Sequence, residues 1–376
     1  MSNQATQLTL LHSGADYFPA LLAAIKAAQR SVWLETYMFA DDATGNAVRD
    51  ALLAATSRGV AVRLLIDGYG SGNDGRALVA QLQSAGIDAK IYRPQRWWQA
   101  GLSPTLLRRL HRKLCVVDAG LESQSVAFVG GINIVDDSNH APHSGLGLGP
   151  RFDFAVRIAG GLVGDIAKTM QGGLFTPRSK LALLWRQSAA LVQRDNVSNR
   201  HTIQKMYLKL LASARHEVWI ANAYFMPGRR MRRALLMCAQ RGVRVNVLLQ
   251  GRMEYRLQHY ATQALYGQLL AGGVHIYEYH ASFLHAKVAV ADQQRATVGS
   301  SNIDPFSLLL AREANVLVHD AVFASELTQA LRTAAHEKSS RLISPQTPRP
   351  LLRRCLHWVA YGVLRFGVMV AVTGRY

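Results

Sequence analysis

His111-Arg112-Lys113-Leu114-Cys115-Val116-Val117-Asp118 and His285-Ala286-Lys287-Val288-Ala289-Val290-Ala291-Asp292 are one pattern written twice. Each has a histidine, a lysine two residues on and an aspartate five residues after that. Each is followed by a glycine turn and an asparagine, Gly130-Gly131-Ile132-Asn133 and Gly299-Ser300-Ser301-Asn302. Each then meets an acid that opens an apolar run, Asp153 and Glu313. One such motif is weak evidence; two copies with the same trailing residues describe a duplication.

Further out, the copies continue to match. Ser31–Phe39 resembles Glu217–Phe225, and Arg58–Gly68 resembles Arg241–Gly251. Ala77-Leu78, in a helix ending at Gly86, matches Ala264-Leu265, ending at Gly272. In the first copy, helices are expected at Phe18–Ala28, Gly45–Ser57 and Gly75–Ala85. Strands are expected at Val32–Phe39, Val60–Ile66, Ala89–Tyr92, Lys113–Val117 and Ser125–Val129. Strands rich in Val, Ile and Leu without strict alternation predict sheets covered on both faces. The fold class is α/β, with two duplicated α/β/α-sandwich lobes about a pseudo-twofold axis and the active site between them. The expected divisions are 1–185 for the first lobe, 186–345 for the second and 346–376 for a basic amphipathic tail. The junction falls within Thr176–Arg200, where Pro177 and Asn196–Asn199 break the pattern.

Composition narrows the function. The chain has 376 residues, 49% hydrophobic, with 43 Lys and Arg against 24 Asp and Glu, a formal charge of +19. That apolar content excludes a disordered chain. The charge calls for a polyanionic partner, nucleic acid or an anionic membrane, and does not choose between them. Three scattered cysteines, Cys115, Cys238 and Cys355, give neither a disulfide framework nor zinc-ligand spacing. Met1–Tyr17 lacks the basic and apolar runs of a signal peptide.

Side chains alternate along a strand, so His111 and Lys113 leave one face about 6.6 Å apart, as do His285 and Lys287. Asp118 and Asp292 belong to the same catalytic motif. They lie at opposite parity and up to about 16 Å away along an extended strand, so they are expected to support the site. Asp153 and Glu313 are suited to orient a histidine by accepting its Nδ1–H. Two imidazoles, two ammonium groups and the amides of Asn133 and Asn302 together make a receptor for a phosphate diester. One neutral histidine can attack phosphorus while the other protonates the leaving alcohol, and the lysines and asparagines hold the phosphate oxygens. No metal and no cofactor is called for.

With Leu34–Phe39, Ile220–Gly228, Ser282–Lys287 and Val298–Pro305 added, the duplicated H-x-K-x4-D motif resembles the phospholipase D superfamily. Within it, these stretches are similar to the bacterial cardiolipin synthases of the shorter form, which lack two N-terminal transmembrane helices. The resemblance covers the chain to about Arg341. It implies catalysis through a covalent phosphohistidine and transfer of a phosphatidyl group from one phosphatidylglycerol to another, with release of glycerol. It also implies His111 as nucleophile and His285 as acid, an order that the residues themselves leave open. The partners implied are phosphatidylglycerol and other anionic lipids at the cytoplasmic face of the bacterial inner membrane, without nucleic acid. The rival reading is a hydrolase of phospholipids or nucleic acid. Oligomeric state is left open.

Two segments bear on the partner. The insert Arg93-Pro94-Gln95-Arg96-Trp97-Trp98 with Leu106–Arg112 suits a lipid headgroup interface or single-stranded nucleic acid. At the C-terminus, a helical wheel gathers Arg353, Arg354, His357, Tyr361 and Arg365 on one arc. Leu352, Leu356, Val359, Val363, Phe366 and Val370 take the other. Leu356–Val372 would extend only about 26 Å, short of the roughly 30 Å hydrocarbon core. A helix lying in the membrane interface is therefore expected, with docking on the protein as the rival.

Overall fold

The computed structural model describes residues 6–94, 108–121, 124–138, 148–172, 180–344 and 350–373. Of the Trp- and Arg-containing insert, Gln95–Trp98, Leu106 and Leu107 lie outside these residues.

The first half runs β1 (Gln7–His12), α1 (Ser13–Ala27), β2 (Ser31–Thr36), α2 (Ala43–Ser57), β3 (Ala61–Asp67), α3 (Gly72–Ser84), β4 (Asp88–Tyr92), β5 (Lys113–Val117), β6 (Val126–Gly130), β7 (Phe154–Ala159) and α4 (Leu162–Gln171). After the short α5 (Leu181–Leu184) come β8 (Ala189–Arg194), α6 (Thr202–Ser213), β9 (Glu217–Asn222), α7 (Arg229–Gln240), β10 (Arg244–Gln250), α8 (Arg256–Ala264), α9 (Tyr266–Ala271) and β11 (His275–Tyr279). The second half ends with β12 (Lys287–Ala291), β13 (Arg295–Gly299), α10 (Pro305–Leu309), β14 (Glu313–His319), α11 (Ala321–His336) and β15 (Arg341–Leu342), and α12 (Leu351–Thr373) follows.

The two sheets repeat one topology. The first is ordered β1-β7-β6-β5-β2-β3-β4; the second, read from its far edge, is β8-β14-β13-β12-β9-β10-β11 with β15 added. In each, β-α-β crossovers make three parallel strands (β2, β3, β4; β9, β10, β11). The motif strand, β5 or β12, joins them antiparallel. It therefore sits mid-sheet, fully covered, which is why its residues are nearly all apolar.

Outer helices pack on the far face of each sheet, forming separate cores around Leu21, Leu52 and Leu64 and around Tyr207, Leu235 and Val247. Between the sheets, α4 and α11 are buried in one shared core with Val116, Val129, Val288 and Val316. The α/β/α lobes thus share a middle layer, and that layer fixes one motif strand against the other.

Two local features differ from expectation. Helix α1 starts at Ser13 and carries Pro19 internally, because Tyr17, Phe18, Leu21 and Ile25 all bury on one face and packing outweighs the lost hydrogen bond. The second copy's counterpart of α3 is broken at Leu265 into α8 and α9.

The C-terminal helix takes the docked form, the rival expectation. It docks on α8 and α10 through His357, Ala360, Tyr361, Leu364 and Val368. The rings of His357 and Tyr260 stack at 5.4 Å, and Arg232 donates to Tyr361 Oη at 3.0 Å. Of the polar arc, His357 and Tyr361 are on the docking face, while Arg353, Arg354 and Arg365 stay exposed. Leu352, Leu356, Val359, Val363, Phe366 and Val370 point outward, with Leu352 83% and Phe366 63% exposed.

Candidate active site

Each motif histidine is positioned by the other lobe. The backbone of Arg312, just before Glu313, bridges the first motif: its N–H donates to Arg109 O at 2.7 Å, and His111 N–H donates to its carbonyl at 3.0 Å. Reciprocally, Phe152, just before Asp153, donates to Phe283 O at 2.9 Å and accepts from His285 and Ala286 at 2.9 and 3.0 Å. These paired bridges bring the acid of each lobe to the histidine of the other. His111 Nδ1 lies 3.0 and 3.1 Å from the two carboxylate oxygens of Glu313. His285 Nδ1 lies 2.6 Å from Asp153 Oδ2. With Nδ1 engaged, Nε2 is the nitrogen each ring has left for chemistry.

Both histidines line a cleft of about 610 Å³ between the lobes, with Asn133, Asn302 and Asp153. Asn133 Oδ1 accepts from Met38 N–H at 3.3 Å. Asn302 is buried, and its Oδ1 has no hydrogen-bond partner among the described residues. Lys113 and Lys287 are buried, and each donates to the carbonyl of its own histidine, Lys113 to His111 O at 2.7 Å and Lys287 to His285 O.

Asp118 and Asp292, grouped by the motif with the catalytic residues, do not line this cleft. They sit in left-handed turns at the far ends of β5 and β12, with φ of 55° and 52°. Asp118 accepts from the N–H groups of Gln29, Arg30 and Ser31 at 2.7–3.1 Å. Asp292 accepts from Arg215, His216 and Glu217 at 2.8–2.9 Å. Each clamps its motif strand to the start of the neighbouring strand, β2 or β9.

Burial dominates the electrostatics. It pushes the Lys113 ammonium down to about 7 and that of Lys287 down to about 8. It pushes the Asp153 carboxyl up to about 7, with Lys287 opposing. Burial also holds the His111 imidazole below its usual range. It holds His285 well below, with Lys287, Arg151 and Lys113 adding like charge. A phosphate diester between these groups would supply the opposite charge that favours protonated imidazole and ammonium.

Several cleft residues escaped the sequence reading. The Tyr37 ring lies 4.9 Å from that of His111 and 5.2 Å from Lys113 Nζ. Tyr224 donates to Glu254 at 2.9 Å, and Arg151 faces Glu254 at 3.7 Å. Arg109 and Tyr69 stack at 4.4 Å. None of them recurs at the matching place in the other copy, so the duplication could not expose them. Ser300 donates to Glu313, and its neighbourhood to Gly299 was the available signal.

The chain is similar to known proteins in sequence and in fold. The family described as "Cardiolipin synthase, PLD-like domain" matches residues 21–143 and 207–334. Cardiolipin synthase B of Salmonella typhimurium is 39% identical over 345 residues, covering 88% of this chain and 80% of that one. Cardiolipin synthase B of Escherichia coli K12 is 40% identical over 344 residues, with 87% and 80% covered. Among solved structures, phosphatidylserine synthase of Haemophilus influenzae superposes with a TM-score of 0.72 at 13% identity, covering 97% of this chain and 95% of that one. Polyphosphate kinase of Porphyromonas gingivalis gives 0.62 at 12% identity, over 97% and 53%. At such identities these two speak to the fold alone. The motif pair, the shared cleft and the match across both lobes lead to one conclusion: the chain belongs to the phospholipase D-like cardiolipin synthase family.

Proposed function

We propose that this protein is a cardiolipin synthase, a phosphatidyltransferase that joins two phosphatidylglycerol molecules and releases glycerol. The observation that carries it is the reciprocal pairing of two histidines with two carboxylates across one cleft, in a chain about 40% identical to cardiolipin synthase B. In the first half-reaction Nε2 of one histidine attacks the donor phosphorus. The bond from phosphorus to the glycerol headgroup oxygen breaks, and the other histidine, protonated, gives that oxygen its proton. In the second half-reaction the same histidine, now neutral, takes the proton of an acceptor headgroup hydroxyl. The hydroxyl oxygen bonds to phosphorus and the phosphorus–nitrogen bond breaks. One ester bond is lost and one is formed, so no outside energy source is needed.

Family resemblance assigns the nucleophile to His111 and the acid to His285. Lys113, Lys287, Asn133 and Asn302 are the groups suited to hold the non-bridging oxygens as charge moves. Asp153 and Glu313 orient the rings. We assign the lobes to 1–185 and 186–345 and the tail to 346–376.

The outward apolar face of α12 supports a peripheral place on a membrane. No helix among the described residues is long and apolar enough to cross one. Leu364 of α12 lines the cleft, and so do the exposed Met38, Tyr69, Tyr255 and Leu257. The helix that would rest on lipid thus forms part of the cleft's wall. Basic residues near an anionic leaflet add roughly 1 kcal/mol each, consistent with the +19 charge and a cytoplasmic-face location. The test is product analysis with phosphatidylglycerol vesicles. Cardiolipin and free glycerol in equal amounts are expected; phosphatidic acid alone would show a hydrolase.

A further inference from the structure

The transferase reading needs two phosphate-bearing lipids in the cleft at once, and the groups assigned so far account for one. The reacting phosphate is held between the imidazoles, with the two lysines and two asparagines. The acceptor brings a second phosphodiester, joined to its attacking hydroxyl by a single glycerol. A site for it must therefore lie one glycerol bridge from the reacting phosphorus, and it must offer positive charge with free N–H groups.

Arg109 meets these requirements. It lines the cleft two residues before His111, in a segment held extended by the bridge to Arg312. Its side chain therefore leaves on the His111 face, about 6.6 Å along. The guanidinium carbon lies over the Tyr69 ring, 4.4 Å from its centroid, so the ring holds the group by a cation–π contact. Its side chain is only 12% exposed, and Nη1 is buried with no hydrogen-bond partner among the described residues. The nearest carboxylate, Asp67, lies 4.0 Å away. Its oxygens are already taken by the N–H groups of Tyr69, Gly70 and Leu110 at 2.8–3.1 Å. Asp67 thus balances the charge of Arg109 without satisfying its donors. A buried guanidinium N–H left unpaired is costly, and a phosphate is the acceptor whose geometry fits its fork.

Neighbouring cations do not offer the same. Lys113 and Lys287 donate to backbone carbonyls beside the histidines. Arg151 faces Glu254. The residue matching Arg109 in the other lobe is Phe283, buried and apolar.

We infer that Arg109, held by Tyr69, is a second phosphate subsite that binds the phosphodiester of the acceptor lipid and so selects a phospholipid over water or a simple alcohol. This rests on the transferase reading. The test is competition between acceptors. Phosphatidylglycerol vesicles are incubated with ethanol, and cardiolipin and phosphatidylethanol are quantified by mass spectrometry. Both arise from one phosphohistidine, so their ratio reports acceptor choice whatever fraction of the enzyme is active. Arg109→Gln should lower the ratio of cardiolipin to phosphatidylethanol at least about tenfold. Arg109→Lys, which keeps charge and loses the fork, should fall between the variant and the native enzyme. Ratios within about twofold of native in both variants would overturn the subsite while leaving the transferase intact. Native enzyme yielding phosphatidylethanol and phosphatidic acid without cardiolipin would overturn the transferase reading itself, and the subsite with it.

Discussion

Asp153 reaches His285 with a short side chain because Gly131 stands aside: a Cβ there would fall 2.4 Å from the Asp153 carboxylate. Glu313 reaches His111 with one more methylene and takes a hydrogen bond from Ser300, which occupies the place that Gly131 holds in the first lobe. The two half-sites therefore deliver the same object, a carboxylate oxygen at Nδ1, by different means. The difference continues behind the histidines. Arg112 forms a buried pair with Glu35, with Nη2 to Oε1 at 2.8 Å, where the second lobe has Ala286 and Ala221. The two copies thus agree in where the carboxylate oxygens end up and differ in the residues that support them. The divergence also makes the two halves unequal, as the roles proposed for His111 and His285 are.

The sharpest way to break that inequality is to remove each histidine. His111→Ala and His285→Ala should each lower turnover by roughly 10⁴-fold or more, since the residues act as a unit. Intact protein masses after mixing with phosphatidylglycerol should show an adduct in His285→Ala and none in His111→Ala. An adduct on His285 would reverse the assigned roles. Next come the acids. Asp153→Asn and Glu313→Gln should each cost roughly 10²–10³-fold in kcat by releasing a ring from its tautomer. Each variant impairs the histidine of the other lobe, so adduct formation should slow more in Glu313→Gln. Equal rates of adduct formation in the two would erase the distinction.

A third contrast concerns stability. Arg112→Ala should destabilise the first lobe by about 3–5 kcal/mol because Glu35 stays buried and unpaired. The double change Arg112→Met with Glu35→Leu should recover most of it, as read by denaturant unfolding. The smallest effect is on pH. Lys113 and Lys287 ionise at about 7 and about 8 in the free protein, below the ordinary lysine range. Raising the pH through this window removes ammonium charge, so kcat/KM should fall on the alkaline side while kcat, reporting the loaded site, holds to higher pH. The same shift means the unfolded chain binds more protons here, so these lysines weaken the fold fully below about pH 7 and progressively less as pH rises toward the ordinary lysine value of about 10.4.

How far the sequence carried this picture follows from what is local. Strand parity alone separated His111 and Lys113 from Asp118, because alternation needs no tertiary information. The clamp that Asp118 makes on Gln29–Ser31 agrees with that parity. Which acid serves which histidine was hidden, because it depends on how α4 and α11 seat one sheet against the other. Arg109 falls in the Leu106–Arg112 segment that suits a lipid headgroup, but its place in the cleft was hidden because it occurs in one copy only. The docking face of α12 was hidden for a different reason. His357 and Tyr361 carry polar tips on apolar rings, and only the fold, which sets Tyr260 and Arg232 beside them, makes them docking residues.

The outward face of α12 changes how the reaction should be measured. In the proposed arrangement, with α12 resting on a bilayer and Leu364 in the cleft wall, the enzyme would search for both lipids by lateral diffusion in two dimensions. Its velocity should follow the mole fraction of phosphatidylglycerol in the surface, and it should fall on dilution with an inert lipid even when the total amount of substrate is unchanged.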